Sequence, residues 1–201
     1  MRAPTKLHGF GAIVEPEAPY CIGRVDGEPE TTLRIVHGAG TTVIDVAETL
    51  REDATTDLAD ITAGDPMERW RIETTDATCA WPEGFDLASD PDDLSPFLLL
   101  GPDDSMVWLA GPVDRATVEP IENLAGEGQR VRAVAEAGDH ERIDLDYEAD
   151  DEAWWQRKYV VPWDDGQAIV ITGQARSAME ELTALAVDLV ERSLEPHRSA
   201  E

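Results

Sequence analysis

Six closely spaced carboxylates have the residue types of a cation-binding site: Asp144, Asp146, Glu148, Asp150, Asp151 and Glu152. Carboxylate oxygens suit Ca²⁺, but an EF-hand loop also needs a glycine at its sixth position and a glutamate at its twelfth. A loop that starts at Asp144 has Ala149 and Trp155 at these two positions. Apolar residues between the first acids instead predict a strand whose solvent-facing side and following turn carry the charge.

A glycine-containing segment, His37-Gly38-Ala39-Gly40-Thr41-Thr42, has the residue types of a phosphate-binding loop. Glycines between a strand and a helix let a phosphate reach the amides of the helix N-terminus. The dinucleotide-binding pattern requires a third glycine where Val43 stands, and the Walker pattern requires a lysine that is absent. We interpret the segment as a plain turn, with Thr41 or Thr42 capping a helix that runs to about Asp53.

Histidine, cysteine and serine show no catalytic or metal-binding spacing. The histidines fit neither HxxxH nor HExxH, and no serine lies in GxSxG. Cys21 and Cys79 form no CxxC pair, so we expect two buried free thiols. The sequence predicts no catalytic residue, no metal ligand and no cofactor.

Aromatic and basic residues concentrate at one place, Trp154-Trp155-Gln156-Arg157-Lys158-Tyr159. Neighbouring residues of a strand point to opposite faces, so one tryptophan should enter the core while the other lies on the outer face or under a loop. An exposed tryptophan beside an arginine is typical of binding hot spots. We predict a partner-binding site at Trp154, Trp155, Arg157 and Tyr159; the alternative is that helices cover both tryptophans.

The charge of the chain is strongly one-sided. Forty-three Asp and Glu face sixteen Lys and Arg, a formal net charge of -27, in a chain of 201 residues. With 42% hydrophobic residues and six tryptophans the chain should fold. Such a surface repels nucleic acid and anionic membranes and attracts basic proteins. Three interpretations stay open: adaptation to salt or simple solubility, a basic protein partner, and mimicry of nucleic acid.

Elements in the first half are short. Apolar runs predict strands at residues 10–14, 20–22, 33–36 and 70–73. Residues 82–96, with three prolines and five acids, are predicted to form a linker or a long loop. Two further strands, 97–100 and 106–109, should form a hairpin, followed by a brief helix over 118–125.

The second half carries the clearest pattern. Residues alternate with a period of two around 131–136, 143–147, 154–161 and 168–171, which predicts an antiparallel meander. A capping box at Ser177 and Glu180 should open a long C-terminal helix that ends before Pro196. We expect one apolar side of this helix to lie on the sheet: Met179, Leu182, Leu185, Ala186, Leu189, Val190 and Leu194.

The fold class predicted by these elements is α+β, an antiparallel sheet packed by helices, with a long C-terminal helix. Residues 1–80 would form an N-terminal α+β segment packed on a second part, residues 81–201; a single domain fits the pattern equally well.

The C-terminal half, from about Pro82 to Leu194, resembles the Mog1/PsbP-like group, which includes small bacterial lipoproteins and secretion-system adaptors. The matching features are Pro82-Glu83-Gly84-Phe85, the strand pair around Gly101, the segment 168–175 and the end of the last helix. The resemblance implies an antiparallel sheet with helices on both sides and binding to other proteins without chemistry. The chain departs from the group in its eighty N-terminal residues and in lacking a lipoprotein signal.

We therefore expect a non-enzymatic adaptor, chaperone or immunity protein with an acidic surface and a basic or partly apolar protein partner. The alternatives are a small-ligand binder or enzyme with a pocket between sheet and helices, and an acidic structural domain of a larger assembly. No apolar run is long enough to suggest a signal peptide or a membrane span, so we expect a cytoplasmic protein without membrane insertion and without a nucleic-acid partner.

Overall fold

Strands dominate both parts of the chain. The computed structural model describes residues 5–8, 12–14, 16, 18–29, 32–45, 58–61, 70–74, 77–90, 92, 95, 97–138, 140–163 and 166–196. The chain divides into two units, Met1–Pro96 with Ser193–Glu201, and Phe97–Arg192. The first unit extends past residue 80, because strands at 77–80 and 86–89 pair with its other strands.

The first unit is built from short antiparallel strands. These are β1 Thr5–His8, β2 Ala12–Val14, β3 Tyr20–Arg24, β4 Thr32–His37, β5 Gly40–Asp45, β6 Leu58–Ile61, β7 Arg71–Glu73, β8 Ala77–Ala80, β9 Asp86–Ser89 and, from the far end of the chain, β16 Glu195–Pro196. One set pairs in the order β16-β8-β7-β1-β2-β6. The other pairs in the order β9-β3-β4-β5. The strands predicted at residues 10–14, 20–22, 33–36 and 70–73 correspond to β2, β3, β4 and β7; residues 10 and 11 lie outside the described residues, and β7 starts one residue later than predicted.

Two tryptophans anchor the core of the first unit. Trp70 and Trp81 meet edge to face, with ring centroids 5.9 Å apart. The indole N–H of Trp81 donates to the backbone oxygen of Phe85 at 2.6 Å, which satisfies its buried polar atom. Arg24 lies 5.6 Å above the centre of the same ring. Buried isoleucines and leucines in the described part of this unit include Ile22, Leu33, Ile35, Ile44, Ile72 and Leu87.

The helix predicted from Thr42 is wrong over its described residues. Residues 40–45 form β5, which pairs with β4 across a tight turn. Consecutive β-branched residues follow Gly40, and such residues favour a strand over a helix. Residues 46–53 lie outside the described residues.

Because residues 40–45 form a strand, the segment 37–42 is not directly followed by the helix that a phosphate-binding loop requires. His37 Nδ1 accepts from the backbone N–H of Ala39, and His37 Nε2 bonds to the Thr42 hydroxyl at 3.1 Å. Residues 37–40 thus connect β4 and β5 in a hairpin, and no helix N-terminus lies in this segment. The predicted capping role of Thr41 or Thr42 is wrong for the same reason.

The long loop predicted at residues 82–96 is also wrong in part. Glu83 and Gly84 form a turn, and residues 86–89 then form β9 against β3. Leu87 and Ala88 are buried in this strand. The flanking prolines and acids suggested irregular structure, whereas burial of this short apolar segment stabilises a strand.

Six antiparallel strands of the second unit pair side by side. Its elements are β10 Leu98–Leu100, β11 Met106–Asp114, β12 Arg130–Ala137, β13 His140–Ala149, β14 Glu152–Pro162, β15 Gln167–Arg176 and the helix α1 Glu180–Ser193. The strands lie in the order β12-β13-β14-β15-β11-β10. The predicted hairpin of residues 97–109 and the predicted meander are therefore confirmed.

Different elements contact the two faces of this sheet. Helix α1 contacts one face, where Val187 packs on Gly173. On the other face, residues of the segment after β11 complete an apolar cluster: Val118, Ile121, Ile143, Leu145, Val160, Ala168 and Val170. That segment forms two 3₁₀ turns, 115–117 and 121–124, and not the predicted helix over 118–125. The architecture is α+β, as predicted. The phrase "packed by helices" overstates it, because α1 is the only α-helix in the described residues.

Helix α1 starts later than predicted. Ser177–Met179 form a 3₁₀ turn, so the helix begins at Glu180 and no capping box forms at Ser177. The residues that α1 buries are Thr183, Ala186, Val187, Val190 and Glu191. Leu182 and Leu185, predicted to face the sheet, are 37% and 62% exposed. No helix in the described ranges has the length and apolar character needed to cross a membrane.

Gly173 sets the distance between α1 and the sheet. A Cβ atom at this position would lie 2.9 Å from Cβ of Val187, too close for an ordinary contact. We expect Gly173→Ala to lower the free energy of unfolding by about 1–3 kcal/mol, as overpacked cores do. Urea unfolding followed by circular dichroism measures the loss. The double variant Gly173→Ala/Val187→Ala should lose less than the sum of the two single changes.

Gly126→Ala is the matched control for this substitution. The nearest atom to its added Cβ would be Oε1 of Gln129 at 3.5 Å, an ordinary contact. We expect a change within about 0.5 kcal/mol. Equal losses for Gly173→Ala and Gly126→Ala would contradict the packing argument.

Candidate protein-binding surface

The residues predicted to bind a partner lie on two opposite faces of the second sheet. Trp155, Arg157 and Tyr159 share the face that α1 contacts, because alternate residues of β14 point the same way. Trp155 is fully buried and Tyr159 is 4% exposed. Trp154 points to the other face and is partly exposed. Of the four predicted residues, Trp154 is the one best placed to contact a partner.

Arg157 is the centre of a buried ionic network under α1. Its Nε and Nη2 donate to the two carboxylate oxygens of Asp144, at 2.7 and 3.2 Å. Its Nη1 donates to Asp188 of the helix at 2.8 Å, and the Tyr159 hydroxyl donates to the same oxygen at 2.9 Å. The guanidinium also lies 5.2 Å above the centre of the Trp155 ring. The network joins β13, β14 and α1.

The position of Asp144 corrects a sequence-based expectation. The alternation of β13 placed this residue on a solvent-facing side, yet its side chain is 7% exposed. The pattern correctly separates the two faces of the strand, but the polar face is covered by α1. Asp146, on the same face, pairs with Arg130 at 2.9 Å near the edge of the sheet.

The pKa values of the network follow from burial and hydrogen bonding. Burial alone would lower the pKa of Arg157, but the hydrogen bonds that it donates to Asp144 and Asp188 outweigh burial and raise the pKa. Burial, followed by the hydrogen bond to Asp188, raises the pKa of Tyr159 to about 12. The network therefore keeps a charged arginine and a neutral tyrosine, and neither group is poised to exchange a proton near neutral pH.

An aromatic patch surrounds Trp154 on the opposite face. The rings of Tyr147 and Trp154 stack with centroids 6.1 Å apart and planes 19° from parallel. The guanidinium carbon of Arg176 lies 5.8 Å from the centre of the Trp154 ring. Partial burial raises the pKa of Tyr147, so its hydroxyl stays neutral. We call Tyr147, Trp154 and Arg176 the aromatic patch.

Acidic turns border the aromatic patch. Arg176 Nη2 bonds to Asp104 at 2.7 Å, and its Nε lies 3.0 Å from Glu152. Asp104 belongs to the β10–β11 turn, and Glu152 is the first residue of β14 after the β13–β14 turn; the strand register places both turns at one end of the sheet. Each turn has two consecutive aspartates with positive φ, between 51° and 62°: Asp103, Asp104, Asp150 and Asp151.

The acidic border has more negative than positive charge. All four turn aspartates and Glu152 are exposed, and Arg176 contacts two of these five acids, Asp104 and Glu152. Aspartate tolerates the left-handed backbone of such turns better than most residues do. The surface thus combines a partly exposed indole with the carboxylates of two turns at one end of the sheet, which suits contact with a cationic and partly apolar group.

Sequence reasoning missed Tyr147, Arg176 and Asp104. The pairing of Tyr147 with Trp154 was readable, because the two residues are equidistant from the Asp150-Asp151 turn and so face each other across the hairpin. The contribution of Arg176 and Asp104 requires the positions of β11 and β15, which are distant in sequence. No local signal marks these two residues.

Two solved structures are similar to part of this chain, at low sequence identity. The chain is similar to the crystal structure of LpqN, involved in cell envelope biogenesis of Mycobacterium tuberculosis, with 16% identity and a TM-score of 0.43 over 61% of this chain and 83% of LpqN. It is also similar to the solution structure of the cyanobacterial PsbP (CyanoP) from Synechocystis sp. PCC 6803, with 9% identity and a TM-score of 0.41 over 69% of this chain and 99% of CyanoP. No protein-family model and no curated protein matches the chain.

The described part of the chain shows neither a metal-binding cluster nor a thiol in a reactive environment. No group of three or more His, Cys, Asp or Glu there is arranged to hold a metal ion. Both cysteines are free. Cys79 is buried, as predicted, whereas Cys21 was predicted to be buried and is only half-buried. Burial, followed by the nearby Asp86 carboxylate, raises the pKa of Cys21, which disfavours the reactive thiolate.

Proposed function

We propose that the protein is a non-enzymatic binding protein whose aromatic patch takes a basic segment of a protein partner. The observation that carries this proposal is the partly exposed Trp154, held between Tyr147 and Arg176 and bordered by the acidic turns. An indole with a rigid environment supplies contact area at a low cost in conformational entropy. The carboxylates attract a basic segment and orient it on the ring.

The charge of the whole chain supports the same type of partner. A net charge of -27 accelerates encounter with basic proteins and disfavours binding to nucleic acid. Arg176 has a dual role in this proposal: it orients the Trp154 ring and occupies Asp104 and Glu152 in the free protein. A lysine or arginine of the partner would exchange with it for these carboxylates.

Trp154→Ala tests the proposal. We expect affinity for the partner to fall by about 2 kcal/mol or more, roughly 30-fold, as for a hot-spot tryptophan. Proteins captured from an extract of the native host by the wild type and the variant are identified by mass spectrometry. The captured partner is then titrated by calorimetry at low and high salt, and binding should weaken as salt screens the carboxylates.

Trp108→Ala is the matched control. Trp108 is a partly exposed tryptophan on the same face of the sheet. It pairs with Thr172 of β15, which lies four residues before Arg176. Its loss should leave affinity unchanged. A further variant, Asp103→Asn/Asp151→Asn, removes two exposed carboxylates other than those paired with Arg176 and should slow association while the aromatic patch stays intact. A basic partner that binds Trp154→Ala and Trp108→Ala equally well would contradict the proposal.

A further inference from the structure

The outer side of α1 is apolar at its centre. Leu185 is 62% exposed and Leu182 is 37% exposed, while Leu189 is partly exposed. These residues are three, four and seven positions apart, so they form one stripe on the helix surface. The stripe lies opposite Val187 and Val190, which the helix buries. We call Leu182, Leu185 and Leu189 the leucine stripe.

The inner side of the helix is already occupied. Val187 packs on the backbone of Gly173, and Asp188 bonds to Arg157. Glu180 forms an ion pair with Arg132 of β12, and Glu191 forms a hydrogen bond with the His140 ring of β13. These contacts of α1 use residues outside the leucine stripe, and Leu185 at the centre of the stripe remains 62% exposed.

Opposite charges flank the stripe at its two ends. Glu181 and Arg192 are both exposed. Eleven residues separate them, which places them on the same flank of the helix, about 16 Å apart along the axis. The Nε of Arg192 donates to the backbone oxygen of Asp188 at 3.0 Å, which directs the guanidinium along the helix.

We propose that a second copy of this chain binds the leucine stripe, with the two α1 helices antiparallel about a twofold axis near Leu185. In that arrangement Leu182 of each helix faces Leu189 of the other. Glu181 of each helix comes within about half a turn of Arg192 of its partner, because residues of the same flank meet in an antiparallel pair. The interface is self-complementary in shape and in charge, as a twofold contact must be.

Net charge makes this association dependent on salt. Each copy carries a formal charge of -27, so the two copies repel each other at low ionic strength. The Debye length falls from about 10 Å at 0.1 M salt to about 3 Å at 1 M. High salt therefore screens the long-range repulsion between the two copies and leaves the apolar contact in place. A contact made by one helix is also small, below the roughly 1,200 Å² of a standard interface, so we expect a weak dimer.

Sedimentation velocity of the full chain over a range of protein concentrations tests the dimer. We expect the wild type to dimerise at high concentration in about 1 M potassium chloride and to dissociate in about 0.1 M. Leu185→Glu should raise the dimer dissociation constant at least about tenfold. A wild type that stays monomeric at every concentration and salt would overturn the proposal.

Charge reversal distinguishes this pairing from other contacts. Glu181→Arg should weaken the dimer by placing two arginines together at each end, and adding Arg192→Glu should restore it. Val43→Glu is the matched control, because Val43 is an equally exposed apolar residue, 59%, in the first unit. It should dimerise like the wild type. Dimerisation that survives Leu185→Glu, or a double reversal that fails to restore it, would also overturn the proposal.

Discussion

Replacing Arg157 with methionine is expected to lower the free energy of unfolding by about 3 kcal/mol, because it removes two charged hydrogen bonds from the buried Asp144 carboxylate and leaves it with the more distant Arg142, 3.7 Å away. Asp144 is 7% exposed and receives two hydrogen bonds from this guanidinium. Asp188 and the face of Trp155 lose their contacts with it as well. Urea unfolding near neutral pH, followed by circular dichroism, measures the loss.

Arg176→Met is the matched control. Arg176 also lies over a tryptophan and also pairs with two carboxylates, but its side chain is 41% exposed. Solvent screens those pairs, so we expect a loss of about 1 kcal/mol or less. Similar losses for the two arginines would show that burial does not decide the strength of these networks.

Removing the whole buried network should be better tolerated than removing one member. Combining Arg157→Met with Asp144→Leu and Asp188→Leu eliminates the stranded charges, and we expect it to recover most of the stability lost in Arg157→Met. Failure of the triple variant to exceed the single variant in stability would indicate that the network is required for packing and not only for charge balance.

Alkaline pH is expected to destabilise the first unit through Cys79. This thiol is 1% exposed, and burial raises its pKa to about 12 from an ordinary value of 9.0, with Arg71 opposing the shift. The folded pKa lies above the unfolded one, so the stabilising contribution is complete below the unfolded value and is lost as pH rises towards the folded value. At about 1.4 kcal/mol per pH unit, the full loss is about 4 kcal/mol.

Unfolding in urea under reducing conditions, from pH 8 to pH 11, measures this dependence. Cys79→Ala should flatten the decline in stability that begins near pH 9, leaving a remainder from Cys21, whose pKa is also raised. Tyr159→Phe is the comparison, because Tyr159 has a pKa of about 12 but an ordinary value of 10.0, so its contribution declines only above pH 10. A slope unchanged by Cys79→Ala between pH 9 and 10 would contradict the assignment.

Much of the second unit was predictable, because strand alternation extends over many residues. The period of two from 131 to 171 reflects strands whose faces contact different elements, and it located β12, β13, β14 and β15. The helix expected from Thr42 shows the opposite case. Its apolar spacing of three and four was counted over residues of which 42–45 belong to β5, and the β-branched residues there favour a strand.

The candidate site was predictable only where it is local. The opposite orientation of Trp154 and Trp155 follows from the strand itself. The burial of Asp144 does not, because alternation separates two faces without telling which face a helix covers. Arg176 and Asp104 reach the aromatic patch through pairings of β14 with β15 and of β15 with β11. Such pairings between distant residues depend on the tertiary fold and leave no trace in a local pattern.

The return of the chain to the first unit after Ser193 has a consequence for biosynthesis. Residues 97–192 are one continuous segment, whereas the first unit also needs β16, Glu195–Pro196, which pairs with β8. A ribosome therefore delivers every strand of the second unit before it delivers the last strand of the first. The unit that begins the chain is the later of the two to be completed, and nascent chains that stop before residue 195 lack β16 while containing every strand of the second sheet.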